Sequence, residues 1–418
     1  MYHHAEPPCF RHQSPVRWER LHTLIATVLI ALLVSLNSAG VVTAAPSATG
    51  DARAARAIDP PSVSARAVFA FDLASGFVLY EKNPKERMQV GSTVKIATAL
   101  AVMKHGNLAD EVPIVESDLV DIETYSNMQL TAGDTLTVGT LLYGLLVPSG
   151  NDGADALARH VGSQISGSDD LDTTTGAFVQ AMNDLAAELG LRNTRFANPS
   201  GIDQPNSYSS AEDIAILFGE FMKDPKLTAI VAEPAYSFYS VGSQPRQYQG
   251  QTTNQLLGKQ GVIGGKTGTT AAAGGGVVLA RQMNDGSNTV ITAVIGADVT
   301  YDDANNVVED VRWDDAGEIL ADMDARFAWV VPGAEGTFPG LAEEMTVWQV
   351  EFKEPPIVPV PTGENTPTTY QLVLGPTGEA GEECGSVQLL VEGSAVGSIP
   401  VYQMGAQVTI PVLDRWAA

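Results

Sequence analysis

The sequence predicts an α+β domain, a sheet flanked by helices, followed by a small all-β domain. Three observations lead there. A strand-like hairpin precedes a long run of amphipathic helices, and strands return only near residue 276. That order does not suit a βαβ repeat. After Pro332 the texture changes: helix-forming runs vanish, Pro355 to Pro367 is proline-rich, and short alternating stretches take over.

Taken in order, ARAVFAFDLASGFVLYEKN from Ala65 reads as two strands joined by a turn at Ala74-Ser75-Gly76. Ser92 to Lys104 reads as a helix, with Val94, Ile96, Ala97, Leu100 and Met103 giving apolar faces. Leu136 to His160 holds two helical runs broken at Pro148-Ser149-Gly150-Asn151. A solvated, mobile loop rich in Gly, Ser, Asp and Thr is expected from Ser163 to Thr175. Helices follow at Phe178 to Leu189 and Ala211 to Met222, strands at Gly276 to Ala280 and Thr289 to Ile295, and a helix at Asp314 to Phe327. Ser386 to Val391 and Gln407 to Val412 read as strands, and no amphipathic helix is expected around Leu413 to Trp416. There is no internal repeat.

Length and charge narrow the function. With 418 residues the chain suits two domains with a real core. Acidic residues outnumber basic ones 49 to 24, and the net charge of −25 argues against nucleic acid, which needs a clustered positive surface. It also argues against adhesion of the globular part to anionic lipid.

The amino terminus reads as an address. Arg11, Arg17 and Arg20 precede an uncharged, mostly apolar run from Leu21 to Ala45, and Val42-Thr43-Ala44 offers small residues for cleavage after Ala44. The expected organisation is a signal peptide over 1–44, a leader over 45–61, the α+β domain over 62–332 and the β-domain over 333–418. The apolar run is also long enough to stay as a membrane anchor. Either way the globular part lies outside the cytoplasm. Cys9 precedes the signal, and Cys384, alone in the mature chain, reads as inert.

Few residues can do chemistry. Only His105 and His160 remain after the signal, one at a predicted helix end and one inside a helix. A Ser-His-Asp triad is thus poorly supported, and a histidine metal site has almost no ligands. The acidic cluster Asp298, Asp302, Asp303 reads as a solvated loop, not a calcium site. No cofactor is expected.

Ser92-Thr93-Val94-Lys95 supplies an alternative base. Three residues apart on a helix, the hydroxyl and the amine share one face. The helix N-terminus favours the attacking alkoxide and the oxyanion it creates. Lys95 can take the serine proton only if its pKa falls, which burial and a second nearby cation would achieve. Alone, this spacing is as well read as a helix cap beside a surface lysine. Two more elements shift that weighing: Ser149-Gly150-Asn151 on a turn between helices, and Lys266-Thr267-Gly268 ahead of glycine-rich sequence leading into a strand.

Together these are the SxxK, SxN and KTG elements of the β-lactamases and penicillin-binding proteins. The chain resembles the low-molecular-mass penicillin-binding D-alanyl-D-alanine carboxypeptidases (serine peptidase family S11) from about Ala65 to Phe327. The likeness includes FDLASGFVLYEKN, LLVPSGNDGADALA, ELGLRNTRFANPSGID, SSAEDIA, TTNQLL and GGKTGTT. Loosely, through GSVQLLVEGSAVGSIPVY, it extends to their C-terminal β-domain.

The resemblance implies a penicillin-binding protein/β-lactamase-like fold and an acyl-enzyme on Ser92, with Lys95 as base. Ser149 would relay a proton to the leaving D-alanine, Asn151 would hold the substrate peptide, Lys266 would stabilise charge and Thr267 would bind substrate. Backbone N–H groups of Ser92 and Thr269, beside Gly268, would form the oxyanion hole. Arg312 is the nearest match to the arginine that family members carry near the substrate carboxylate. The implied partners are peptidoglycan stems ending in D-Ala-D-Ala, with β-lactams as inhibitors. Val90-Gly91 and Gly274-Gly275-Gly276 depart from the family pattern and bear on cleft shape.

A serine β-lactamase is the nearest rival, but no Glu-x-x-Asn element for deacylation lies between Ser149 and Lys266. A D,D-endopeptidase is a closer variant. A catalytically silent envelope-binding module is the rival of another class, opposed by the intact Ser92, Lys95 and Lys266.

Overall fold

A computed structural model of the chain describes residues 58–405, apart from 284–285, 287, 303–306, 335–336, 364–367 and 377–378. The amino-terminal address, Cys9, Asp303 and the strand expected at 407–412 lie outside the described residues.

The expected hairpin is β1 (Ala67–Asp72) and β2 (Val78–Lys82). Asp72 caps its turn by accepting from the Ser75 amide at 2.9 Å and hydroxyl at 2.6 Å. Gly91–Val94 forms a 3₁₀ turn that runs into α1 (Lys95–His105), so Ser92 sits on the tight turn just before the α-helix. The short β3 (Glu111–Pro113) and β4 (Thr135–Thr137) pair ahead of α2 (Val138–Leu146). Then come α3 (Asn151–Ser166), α4 (Leu171–Glu188), α5 (Ala211–Phe221) and α6 (Pro225–Val231). A hairpin of β5 (Ala235–Tyr239) and β6 (Gln247–Gln251) precedes β7 (Val262–Thr270), β8 (Gly274–Met283) and β9 (Asn288–Ala297). A small hairpin, β10 (Val299–Tyr301) and β11 (Val307–Asp310), leads into α7 (Arg312–Arg326).

The central sheet is antiparallel in the order β2-β1-β9-β8-β7. Alternation along its strands sorts side chains into two cores. Ala67 and Phe69 of β1, Val278 and Ala280 of β8, and Ile291, Ala293 and Ile295 of β9 pack with α1 to α6. Val68 and Ala70, Val277 and Leu279, and Val290 and Val294 point the other way, against Ile319, Leu320 and Met323 of α7. This three-layer arrangement is the α+β fold expected. It leaves β7 as the edge strand, with Gly91–Val94 against it.

The tail contributes β12 (Phe327–Val330), α8 (Leu341–Trp348) and β13 (Val350–Glu351). They are followed by β14 (Val358–Pro361), β15 (Thr368–Leu374), β16 (Glu383–Val391) and β17 (Ser394–Gln403). β12 pairs with β14, and a second sheet runs β13-β17-β16-β15. Val387, Leu389, Val396, Ile399 and Val401 share one apolar cluster with the α7 face of the central sheet. Buried Cys384 belongs to that cluster.

Three local expectations need correction. The loop expected over Ser163 to Thr175 is short, because α3 continues to Ser166 and α4 starts at Leu171. Asp170 caps α4 by accepting from Thr173 N at 2.9 Å, and a Cβ on Gly162 would lie 2.0 Å from Thr174 O. The polar-looking stretch is therefore a capped helix start packed closely on its neighbour. The tail is not free of helix, since the eight residues of α8 bury Leu341 and Met345. Finally, Lys266-Thr267-Gly268 does precede the glycine-rich start of β8, but it is not a loop: it lies within a strand of its own, β7.

Candidate active site

The site assembles where three backbone devices meet. First, the edge strand β7 lies hard against the turn that carries Ser92. A Cβ on Gly268 would stand 2.3 Å from Val90 O and 3.1 Å from Ser92 N, so only glycine admits this approach. The same closeness seats the Thr269 amide 2.8 Å from where a Gly91 Cβ would be. The Ser92 and Thr269 amides are thus neighbours, as an oxyanion-binding pair requires.

Second, the break between α2 and α3 holds Ser149 in the left-handed region at φ +66. A non-glycine residue there costs about 1–2 kcal/mol, and surrounding bonds hold it. Gly150 N donates to Gly144 O at 2.9 Å and Asn151 N to Ser126 O at 2.8 Å. Buried Asp152 accepts from the amides of Met128, Leu130 and Gly153, tying the 121–131 loop to this turn.

Third, residue 267 of β7 lies opposite Val277 while Lys266 lies opposite Val278, whose side chain faces the helices. Lys266 therefore points toward α2 and α3 and donates to Ser149 Oγ at 2.7 Å and Thr267 O at 2.9 Å. Thr267 contacts Thr253 Oγ1 at 2.6 Å.

Lys95 is fully buried, and its Nζ lies 2.9 Å from Ser92 Oγ, 2.5 Å from Asn151 Oδ1 and 2.7 Å from Ser200 O. Burial pulls its pKa down to about 7, against the upward push of Asp155 and Asp152. A neutral lysine has two N–H donors and a lone pair. Asn151 Oδ1 and Ser200 O can take only the two hydrogens, which leaves the lone pair for the Ser92 hydroxyl. Lys266 is held well below the usual lysine range by burial, then by the charges of Lys95 and Arg312. The influence of a neighbouring cation thus falls on Lys266, whereas Lys95 is lowered by burial.

Ser92, Ser149, Thr267, Gly268, Thr269 and Arg312 line one cleft of about 380 Å³, together with Ser126, Thr252, Thr253, Gln255, Asp310 and Trp313. Asn151, Lys95 and Lys266 lie just beneath it. Arg312 is buried, donating from Nε to Asp310 at 2.7 Å and from Nη1 to the carbonyls of Gly268 and Gly276 at 3.1 Å. A Cβ on Gly275 would stand 3.3 Å from Arg312 Nε, so this glycine makes room for the side chain. His105 ends α1, and His160 lies on α3 some 3.5 Å from Asp110, both away from the cleft.

Several site residues escaped the sequence reading. Ser200 contributes a carbonyl, which leaves no side-chain signature. Asp152 follows the SxN element directly and Asp155 lies one helical turn beyond Asn151, and that i,i+4 spacing was the available signal. Asp203 accepts from Thr270 Oγ1 at 2.6 Å, latching the 198–208 segment to the end of β7.

A serine on a turn packed against an antiparallel edge strand, with the buried amine of the following helix 2.9 Å from its hydroxyl, is the arrangement that a lysine-assisted active-serine acyl-transfer enzyme needs. The family model for D-alanyl-D-alanine carboxypeptidases, peptidase family S11, matches residues 54–299. The chain is 33% identical over 286 residues to the D-alanyl-D-alanine carboxypeptidase of Streptomyces sp. K15, covering 66% of this chain and 93% of that one. It is 34% identical over 258 residues to DacC of Escherichia coli, covering 58% of this chain and 59% of the relative. A solved K15 DD-transpeptidase variant superposes with a TM-score of 0.56 at 33% identity, covering 62% of this chain and 98% of that one. A penicillin-binding protein homologue from Mycobacterium tuberculosis gives 0.54 at 28% identity, covering 64% and 94%. The chain belongs to the S11 family of D-alanyl-D-alanine carboxypeptidases.

Proposed function

We propose that the chain is an exported serine D,D-carboxypeptidase that removes the terminal D-alanine from peptidoglycan stem peptides. The observation that carries this reading is the buried Lys95 amine, whose two other neighbours are both acceptors and whose third is Ser92. Ser92 Oγ attacks the penultimate carbonyl as its proton passes to Lys95 Nζ. The Ser92 and Thr269 amides take the developing oxyanion. The carbon–nitrogen bond then breaks, and the proton held by Lys95 reaches the leaving amine by way of Ser149. Lys95, neutral again, can draw a proton from water for attack on the ester. Lys266, Thr267 and Arg312 orient the substrate, with Asn151 on its peptide.

The rivals fare less well. Among the residues lining the cleft there is no glutamate, and the one carboxylate, Asp310, is paired with Arg312. That supports slow deacylation, contrary to a β-lactamase. The apolar segment 21–45 would direct export, either cleaved or kept as a membrane anchor. Among the described residues no helix is long and apolar enough to cross a membrane. The β-rich tail, 333–418, would help hold the enzyme on its polymeric substrate.

The test is intact-mass spectrometry of purified protein with benzylpenicillin, followed by peptide mapping. A stable adduct on the Ser92 peptide is expected. No adduct at millimolar drug, or an adduct elsewhere, would sink the mechanism.

A further inference from the structure

A second groove of about 430 Å³ is built on two of the chain segments that line the catalytic cleft and has no role in the chemistry above. Its walls are Ile122, Gln129 and Thr131 on one side and Arg246, Gln247 and Gln249 on the other. The same two segments continue into the catalytic cleft, one through Ser126 and the other through Thr252 and Thr253. Six residue steps separate Gln247 from Thr253, about 20 Å of extended chain, which accommodates roughly six residues of a bound peptide.

The walls are tied in place. Tyr248 donates its hydroxyl to Asp134 at 2.6 Å and accepts from Thr131 N at 3.3 Å, linking strand to loop. Asp152 anchors the loop from the catalytic side. The groove is therefore built before any ligand arrives.

Its lining is polar and adaptable. The side chains of Gln129 and Gln249 make no hydrogen bond within the protein among the described residues, so their amides can serve a peptide backbone. Arg246 is the one cation in the lining. It donates Nε to Asp134 at 2.8 Å, and its terminal nitrogens donate to no protein group among the described residues. In a chain of net charge −25, this is a local site where a carboxylate can be met by a guanidinium.

We infer that this groove is a subsite for the acyl-side peptide, binding a carboxylate several residues upstream of the scissile bond through Arg246. The inference rests on the carboxypeptidase reading and specifies its substrate: an extended acidic peptide, not a bare D-Ala-D-Ala terminus.

Three synthetic peptides ending in D-Ala-D-Ala test it: a blocked tripeptide, a hexapeptide with an amino-terminal glutamate, and the same hexapeptide with glutamine. The wild-type enzyme should show at least tenfold higher kcat/KM on the acidic hexapeptide than on either of the others. Arg246→Glu should erase the preference for acid over amide. Gln249→Trp, at an exposed position without internal bonds, should fill the groove and bring both hexapeptides down to the tripeptide. Benzylpenicillin acylation and tripeptide hydrolysis should be unchanged in both variants. Equal rates on all three peptides in the wild type, or unimpaired hexapeptide cleavage by Gln249→Trp, would overturn the subsite while leaving the catalytic reading standing. Absence of a penicillin adduct in the wild type would instead remove the reading beneath it, and the subsite with it.

Discussion

Lys95 Nζ and Asn151 Oδ1 lie 2.5 Å apart, although one belongs to α1 and the other opens α3. That bond joins the helix following the nucleophile to the turn carrying Ser149. It also occupies one hydrogen of Lys95, so the amine's orientation is set before substrate binds. Preorganised groups of this kind cost no rearrangement at the moment of reaction.

Replacing Lys95 with arginine should leave a folded protein that no longer acylates. A guanidinium stays protonated near neutral pH and cannot accept the Ser92 proton. Loss of the base should slow acylation by about 10²–10⁴-fold, approaching the effect of Ser92→Ala because residues acting as a unit are non-additive. Stopped-flow or mass-resolved penicillin acylation checks this. Near-normal rates in the arginine variant would mean that another group takes the proton.

The pH profile should report Lys95 and its neighbour Asp155. Burial raises the Asp155 carboxyl to about 7, and the nearby Lys95 charge opposes that rise. Acylation needs neutral Lys95, so its rate should fall as pH drops below about 7. Asp155 pushes the lysine upward, so Asp155→Asn should move this acid limb to lower pH. The stability signs follow from which state binds more protons. Lys95 is depressed in the folded protein, so its contribution grows as pH rises from about 7 toward the ordinary lysine value. Asp155 is raised, so its contribution falls as pH rises from the ordinary carboxylate value toward about 7. An acid limb that stays put in Asp155→Asn would show that the carboxyl does not act on the base.

Gly268→Ala should be far more damaging than Gly276→Ala, although the two residues face each other across β7 and β8. At Gly268 the new methyl would meet backbone atoms at 2.3, 2.9 and 3.1 Å. At Gly276 the nearest contact is 3.4 Å, ordinary packing. Overpacking against backbone costs about 1–3 kcal/mol or more, and here it would push β7 away from Ser92. A lowered Tm with lost penicillin acylation is expected for the first variant only. Equal behaviour of the two would mean that the close approach does not matter.

These contacts mark what the sequence could and could not reveal. Ser92, Lys95, Ser149, Asn151 and Lys266 were legible because their chemistry sits in side chains at recognisable spacings. The hairpin from Ala67, the helices and the return of strands were legible from periodicity. The placement of Lys266 inside β7 was not, because Gly264-Gly265 and Gly268 look unlike a strand on propensity. Those glycines answer to close backbone neighbours that only the folded chain supplies. Asp170 looked like loop and is a helix cap, since the same residue type suits both.

The tail provides the last prediction. Every motif precedes Pro332, so a chain ending there keeps the site. The described tail residues, however, complete an apolar layer. A Cβ on Gly397 would stand 3.1 Å from Phe77 of the central hairpin region, and Val387, Leu389 and Val401 are fully buried beside Leu79 and Ile319. Asn288 donates to Ile357 O at 3.0 Å, and Phe327 to Val330 pair with Val358 to Pro361. Removing this layer exposes several large apolar side chains, each worth about 1.5–3 kcal/mol when buried. Truncation after Pro332 should therefore lower Tm by well over ten degrees, while surviving folded molecules should cleave a soluble D-Ala-D-Ala peptide at close to the full-length kcat. Calorimetry beside active-site titration with labelled penicillin separates the two effects. An unchanged Tm would show that the α7 face does not need the tail, and a low kcat per titrated site would show that the tail reaches the chemistry.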